Sequence, residues 1–193
     1  VAVVPVWPNL TAQPAIMGAQ VKRVALVPRD GAWTLDLDKL LAAITPATRM
    51  LLVNAPNNPT GWTLTRAEQE AILDHCRKTG TWIVADEVYE RLWFGEGPAA
   101  PSFLDIADEH DRLTVVHSFS KSFLMTGWRL GWMVLPGGNQ GHLDAIGKLI
   151  EFNTSCAPVF VQRAGIVAGA GLGLAPGSAL GSSGEGFVRW CFA

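Results

Sequence analysis

The sequence predicts an α/β protein built on a mostly parallel central sheet with helices on both faces. Two observations carry this. Short runs rich in branched apolar residues recur along the chain, and they are continuous rather than alternating, as strands buried on both faces are. Helical patterns lie between successive runs, the arrangement of a sheet wound by crossover helices.

In chain order, strands are expected at Val1 to Val4, Val21 to Val27, Met50 to Val53, Trp82 to Ala85 and Leu113 to Val116. Helices are expected around Leu35 to Ile44, over Thr65 to Thr79, and from about Leu143 to Phe152. The second is the clearest: Thr65 and Glu68 form a T-x-x-E capping box, and Gly80 supplies the stop. The stretch from Ala168 to Ser183, AGAGLGLAPGSALGSS, is dominated by small residues and reads as a loop or linker. No G-x-G-x-x-G follows a strand, which argues against a dinucleotide site, and no internal repeat is visible.

A chain of 193 residues, 49% of them hydrophobic, can bury a substantial core. Its formal charge of -2 and pI of about 6.1 provide no basic field for nucleic acid or an anionic membrane, so small molecules or another protein are the expected partners. The three cysteines, Cys76, Cys156 and Cys191, are far apart and in no C-x-x-C spacing, and the four histidines form no metal motif. A cytoplasmic setting fits. No apolar run is long enough to span a bilayer, and the opening VAVVPV lacks the basic lead-in of a signal peptide. The strand-like start without methionine suggests a chain that begins partway through a larger protein.

In parallel α/β sheets, ligands bind at the carboxyl ends of the strands. After Met50 to Val53 comes NAPNNPTG, with Asn54, Asn57 and Asn58; after Trp82 to Ala85 comes DEVYE, with Asp86 and Tyr89; after Leu113 to Val116 comes HSFSK, with Ser118, Ser120 and Lys121. NNPTG also makes a good turn by itself, and Asp86 and Glu87 could simply end a strand. Tyr89 is the only tyrosine. Lys121 stands between Phe119 and Phe123, surroundings that would desolvate the amine and lower its pKa. Arg129 opens a segment in which it shares a side with Gly131 and Met133, opposite Trp128, Leu130 and Trp132. Near the interior its guanidinium needs an anion, either an internal carboxylate or a bound phosphate with Ser118 and helix-start amides completing the cradle.

NAPNNPTG, D-E-x-Y, S-x-S-K and G-W-R-L-G-W, in that order, resemble the class I/II aminotransferases, pyridoxal-phosphate enzymes of fold type I. The resemblance runs from Val1 to about Ala168, and LAPGSALGSSGEGFVRWCFA looks like the family's C-terminal ending. It implies that Lys121 forms the internal Schiff base with pyridoxal 5'-phosphate and then shuttles the substrate α-proton. Asp86 would keep the ring nitrogen protonated, Asn58 and Tyr89 would donate to the ring phenolate, and Ser118 and Arg129, with Ser120 as a further candidate, would hold the phosphate. Trp7 resembles the aromatic that stacks on the ring. Arg189 resembles the arginine that grips the substrate α-carboxylate, although a structural salt bridge is an alternative. Gly127 would let the chain turn back between Lys121 and Arg129.

The implied activity moves an amino group between an amino acid and a 2-oxo acid, in a homodimer. Alternatives are another pyridoxal-phosphate chemistry, such as a β-lyase or decarboxylase, and a non-catalytic cofactor-binding or dimerising module. The family's upstream phosphate-binding loop would lie before Val1, and most of its small domain would fall between about Ala168 and Leu174. The expectation is therefore a truncated or internally deleted form. It would comprise a large cofactor domain over residues 1–168, a link over 169–183 and a small-domain remnant over 184–193, with the antiparallel strand Arg129 to Leu135 left as an exposed edge.

Overall fold

The computed structural model describes residues 1–170 and 187–192, in two compact units, Val1–Ile106 and Ala107–Ala193. The expected link at 169–183 lies mainly outside the described residues.

The first unit is a parallel sheet. Strand β1 (Ala2–Val4) leads through helix α1 (Asn9–Ile16) to β2 (Arg23–Ala25). A hairpin of β3 (Val27–Arg29) and β4 (Ala32–Thr34) follows, then helix α2 (Leu37–Ala43), β5 (Met50–Asn54), helix α3 (Arg66–Thr79) and β6 (Trp82–Asp86). The order in the sheet is β2, β1, β5, β6, with β1 parallel to both neighbours and β5 parallel to β6. From β1 the chain crosses to β2 on one side; from β5 it crosses to β6 on the other. The crevice that this reversal opens lies at the carboxyl ends of β1 and β5, so the residues after Val4 and after Val53 border it.

The core explains the elements. Leu51, Leu52 and Val53 of β5 and Ile83 and Ala85 of β6 are buried, as are Leu40 and Ala43 of α2 and Ile72, Leu73 and Cys76 of α3. Helix α3 begins at a complete capping box between Thr65 and Glu68 and ends at Gly80, whose φ of 71° is left-handed. Both were legible in the sequence.

The expected strand Val21 to Val27 is instead two strands. Leu26 N donates to Val4 O, after which the chain turns into the hairpin, whose tip holds Asp30 and Gly31 at φ of 50° and 79°. Two consecutive positive φ values are what a tight two-residue hairpin turn demands, and Asp-Gly satisfies them.

The second unit contains β7 (Leu113–Ser118), a short helix α4 (Phe119–Ser122), β8 (Gly131–Pro136), helices α5 (Gln140–Asn153) and α6 (Val159–Ala170), and β9 (Phe187–Phe192). β8 pairs antiparallel with β7 on one side and with β9 on the other. The exposed edge expected at residues 129–135 is thereby corrected: Gly131 faces Phe192 and Pro136 faces Phe187, so the C-terminal strand covers the hydrogen-bonding groups that would otherwise stand open. β8 packs on both faces. Trp132 joins Phe119, Leu130, Ala157 and Val161 in one cluster, while Met133 and Leu135 join Leu143 in another, against Ile146 and Ile150. β7 alternates buried and half-buried residues rather than being buried throughout.

Among the described residues, no helix is long and apolar enough to cross a membrane. Cys76 is buried and Cys156 exposed, and both are free thiols.

Candidate active site

In the first unit the parallel register sets Asn54 opposite Asp86 at the carboxyl ends of β5 and β6. Asn54 is buried, and it uses both ends of its amide. Nδ2 donates to Asp86 O at 3.0 Å, and Oδ1 accepts from Asn58 N at 2.8 Å. Ala55 N also donates to Asp86 O. One buried side chain therefore ties the NAPNNPTG turn to the end of β6. The turn is tightened further by Asn57 Oδ1, which accepts from Thr60 N and Thr60 Oγ1.

This scaffold brings Asn58 and Tyr89 together: Asn58 Nδ2 donates to Tyr89 Oη at 3.3 Å. Asp86 is half-buried, and its Oδ1 accepts from Val88 N at 3.4 Å. Trp7 follows β1 at the same end of the sheet, 53% exposed, and makes no ring contact among the described residues.

Glu87 is the residue that sequence reasoning passed over. It is 3% exposed, its Oε2 accepts from Ser102 Oγ at 2.5 Å and its Oε1 from Phe103 N at 3.0 Å. Burial pushes its carboxyl up to about 8, the two hydrogen bonds opposing the shift and Glu90 and Asp105 adding to it. Nothing in an isolated D-E pair announces which acid will point inward.

In the second unit Ser118 caps α4, accepting from Ser120 N at 3.0 Å, and its hydroxyl also reaches Leu130 O at 3.5 Å. Phe119 N donates to the same carbonyl at 3.0 Å, closing residues 119–130 into a loop. Lys121 lies half-buried on α4. Phe119 and Phe123 pack against each other with centroids 4.6 Å apart, and Phe119 also meets Trp132 edge-on.

Arg129 departs from expectation in two ways. It is not on a strand: β8 begins at Gly131, and Arg129 sits after a 3-10 turn at φ 55°, in the left-handed region. Nor is it interior, since it is exposed. The reversal expected of Gly127 is carried instead by Leu124, at φ 54°, and Arg129, the two left-handed residues of the loop. Non-glycine residues hold that conformation at a cost, so the surrounding contacts must fix it. Here Arg129 Nη1 donates to Thr126 O at 2.9 Å and to Ser120 Oγ at 3.5 Å. The hydroxyl beside Arg129 is thus that of Ser120, 8% exposed, rather than that of Ser118. Among the described residues no carboxylate pairs with Arg129. Arg129 also lines a cleft of about 410 Å³ with Trp128, Pro158, Phe160 and Val161, a cleft that Ser118 and Ser120 do not border. Hydroxyls and a guanidinium with no paired acid form a donor set suited to an oxyanion. Arg189 lies on β9 in register with Val134.

A parallel α/β sheet with amide, carboxylate and phenol at its strand ends has the arrangement in which such sheets take small molecules. Residues 1–170 match the family model of aminotransferase class I and II, and the chain belongs to that family. It is 36% identical over 157 residues to the arginine–pyruvate transaminase AruH of Pseudomonas aeruginosa, covering 80% of this chain and 38% of the relative. It is 34% identical over 167 residues to an aspartate aminotransferase of Musicola paradisiaca, covering 85% and 40%. Among solved structures, a PLP-dependent aminotransferase from Streptococcus suis superposes with a TM-score of 0.78 at 29% identity, over 90% of this chain and 44% of that one. The aspartate aminotransferase of Thermotoga maritima does so with a TM-score of 0.77 at 29% identity, over 86% and 43%. The chain thus spans about two fifths of the length of these curated relatives.

Proposed function

We propose that this chain carries the cofactor-binding part of a pyridoxal 5'-phosphate-dependent aminotransferase that moves an amino group between an amino acid and a 2-oxo acid. The observation that carries the reading is the Asn58 to Tyr89 hydrogen bond, 3.3 Å across two strand ends, which brings an amide and a phenol together just past the paired ends of β5 and β6, where Asp86 ends its strand.

When bound, pyridoxal phosphate supplies an aldehyde and an electron-withdrawing ring that stabilises negative charge at the substrate α-carbon. The residues of this chain do the rest. Lys121 would hold the cofactor through its amine and would move the proton at the substrate α-carbon. Asp86 keeps a proton on the ring nitrogen, because its negative charge favours the cationic ring. Asn58 Nδ2 and Tyr89 Oη donate to the ring oxygen and favour its anionic form. Arg129, with Ser118 and Ser120, binds the phosphate through charge-assisted hydrogen bonds. Trp7 would stack on the ring, and Arg189 would bind the substrate's α-carboxylate. The guanidinium of Arg129, which meets no carboxylate among the described residues and touches the Ser120 hydroxyl, supports the phosphate assignment.

The reading extends to a homodimer in the cytoplasm. Phe152, Phe160, Ile166 and Val167 of α5 and α6 are exposed, apolar surface of the kind that a partner subunit covers.

The test is reduction of the chain with borohydride in the presence of pyridoxal phosphate, followed by peptide mass mapping. Adduct mass on the peptide holding Lys121, absent in Lys121→Ala, is expected. Wild-type protein left unmodified, or modified equally in the variant, overturns the reading.

A further inference from the structure

We propose that Glu87 is a positioning residue: its buried carboxyl, clamped by Ser102 and Phe103, fixes the turn that presents Asp86 and Tyr89. The inference rests on the cofactor reading above for what those two residues contact, but its geometry stands apart from it.

The chain at 86–92 is a tight sequence of turns, with Val88 N donating to Asp86 Oδ1, Glu90 N to Glu87 O and Leu92 N to Tyr89 O. Its backbone is held from one side by Asn54 and Ala55 on Asp86 O. On the other side the only side chain of the D-E-x-Y motif that turns fully inward is Glu87, and its two oxygens are divided between Ser102 Oγ and Phe103 N.

The segment receiving Glu87 is itself anchored. Arg66 Nη1 donates to Ser102 O at 2.9 Å, Gln69 Nε2 donates to Pro101 O at 2.9 Å, and Arg66 pairs with Asp105 at 2.5 Å. Arg66 and Gln69 lie in the first turns of α3, whose start is set by the Thr65 capping box. A path of hydrogen bonds therefore runs from a capped helix, through residues 101–105, to Glu87, and so to the residues on either side of it.

A hydrophobic side chain would fill the same space without the cost of burying an acid. What the carboxyl adds is direction. One oxygen accepts from the fixed Phe103 N and the other end meets the Ser102 hydroxyl, which can donate or accept, and the pair of contacts pins the side chain and the backbone that bears it.

The experiment compares the full chain with Glu87→Ala, Glu87→Gln and Ser102→Ala, each checked by circular dichroism. It reads amide exchange of residues 86–92, affinity for pyridoxal phosphate, and the pH midpoint of the bound cofactor's visible band. Glu87→Ala is expected to speed exchange and weaken cofactor binding about tenfold each, and to move the midpoint, while Glu87→Gln restores all three to within about threefold. Unchanged exchange in a folded Glu87→Ala overturns the proposal, as does faster exchange with cofactor affinity and midpoint unmoved. Should Glu87→Ala fail to fold, Ser102→Ala decides in the same way, since it removes one donor and leaves the carboxyl. A wild-type chain that takes no cofactor defeats the proposed function, whereas the exchange data still judge the clamp.

Discussion

Asn58 and Tyr89 meet at 3.3 Å although 31 residues separate them, because Asn54 holds both the turn that carries one and the strand end that carries the other. The contact is a product of register: Asn54 stands opposite Asp86, so the residues a few places beyond each strand end arrive side by side.

Tyr89→Phe removes the phenol and leaves the Asn58 amide to water. Stability should fall by about 1 kcal/mol, as for one hydrogen bond at a half-buried site. The effect on bound pyridoxal phosphate should be more telling. A donor to the ring oxygen favours its anion, so losing it raises the pH at which the visible band titrates, by about one unit. Spectrophotometric titration of both proteins checks this, and a midpoint unchanged in the variant removes Tyr89 from its role.

Glu87 gives the fold a pH dependence with a definite sign. Its carboxyl rises from an ordinary 4.5 to about 8, chiefly through burial, so folding favours the protonated form. The stabilisation is complete below the unfolded value and is lost as pH climbs through the folded one. Stability should therefore decline between about pH 5 and pH 8, and Glu87→Gln, which cannot ionise, should flatten the decline. Urea unfolding at several pH values measures it. Identical slopes for the two proteins would show that the acid is not held neutral.

Local signals explain most of what was legible in the sequence. The capping box at Thr65, the stop at Gly80 and the apolar run of β5 act within a few residues and appear where expected. The Asp30-Gly31 turn was equally local, but it follows the run Val21 to Val27, which was read as one strand, and the hairpin beyond that run was not read at all. The contacts at 87 and 129 are not local. Burial of Glu87 depends on Ser102 and Phe103, and the left-handed turn at Arg129 on Ser120 and Thr126, so the motif could announce that these residues matter without giving their conformation. Helix α1 carries Pro14 within it and no side-chain cap, and α6 lacks a polar start, so neither offered a boundary to read.

Thr65→Ala tests whether α3 is a foundation for the site or merely its neighbour. The substitution deletes the hydroxyl that accepts from Glu68 N, and an N-cap of this kind is worth about 1 kcal/mol. A lowered unfolding midpoint in urea is expected. Amide exchange should also quicken at residues 101–105, which Arg66 and Gln69 hold. A loss of stability confined to the helix, with no change there, would show that the anchoring does not pass through α3.

Arg129 and Ser120 separate phosphate binding from ring binding. Arg129 is exposed, carries no paired acid among the described residues and touches Ser120 Oγ, so replacing it with glutamine removes a charge without opening a cavity. Loss of a charge-assisted contact to phosphate should weaken pyridoxal phosphate binding by about 10- to 100-fold. Pyridoxal without its phosphate should bind both proteins alike, because nothing then meets the guanidinium. Raising salt should weaken wild-type binding more than that of the variant, since only the former relies on the charge. Ser120→Ala should fall between the two, for it removes one donor and frees the arginine that leaned on it. Equilibrium titration with both ligands decides the matter: an equal loss for pyridoxal and its phosphate would mean that Arg129 shapes the loop rather than holding the anion.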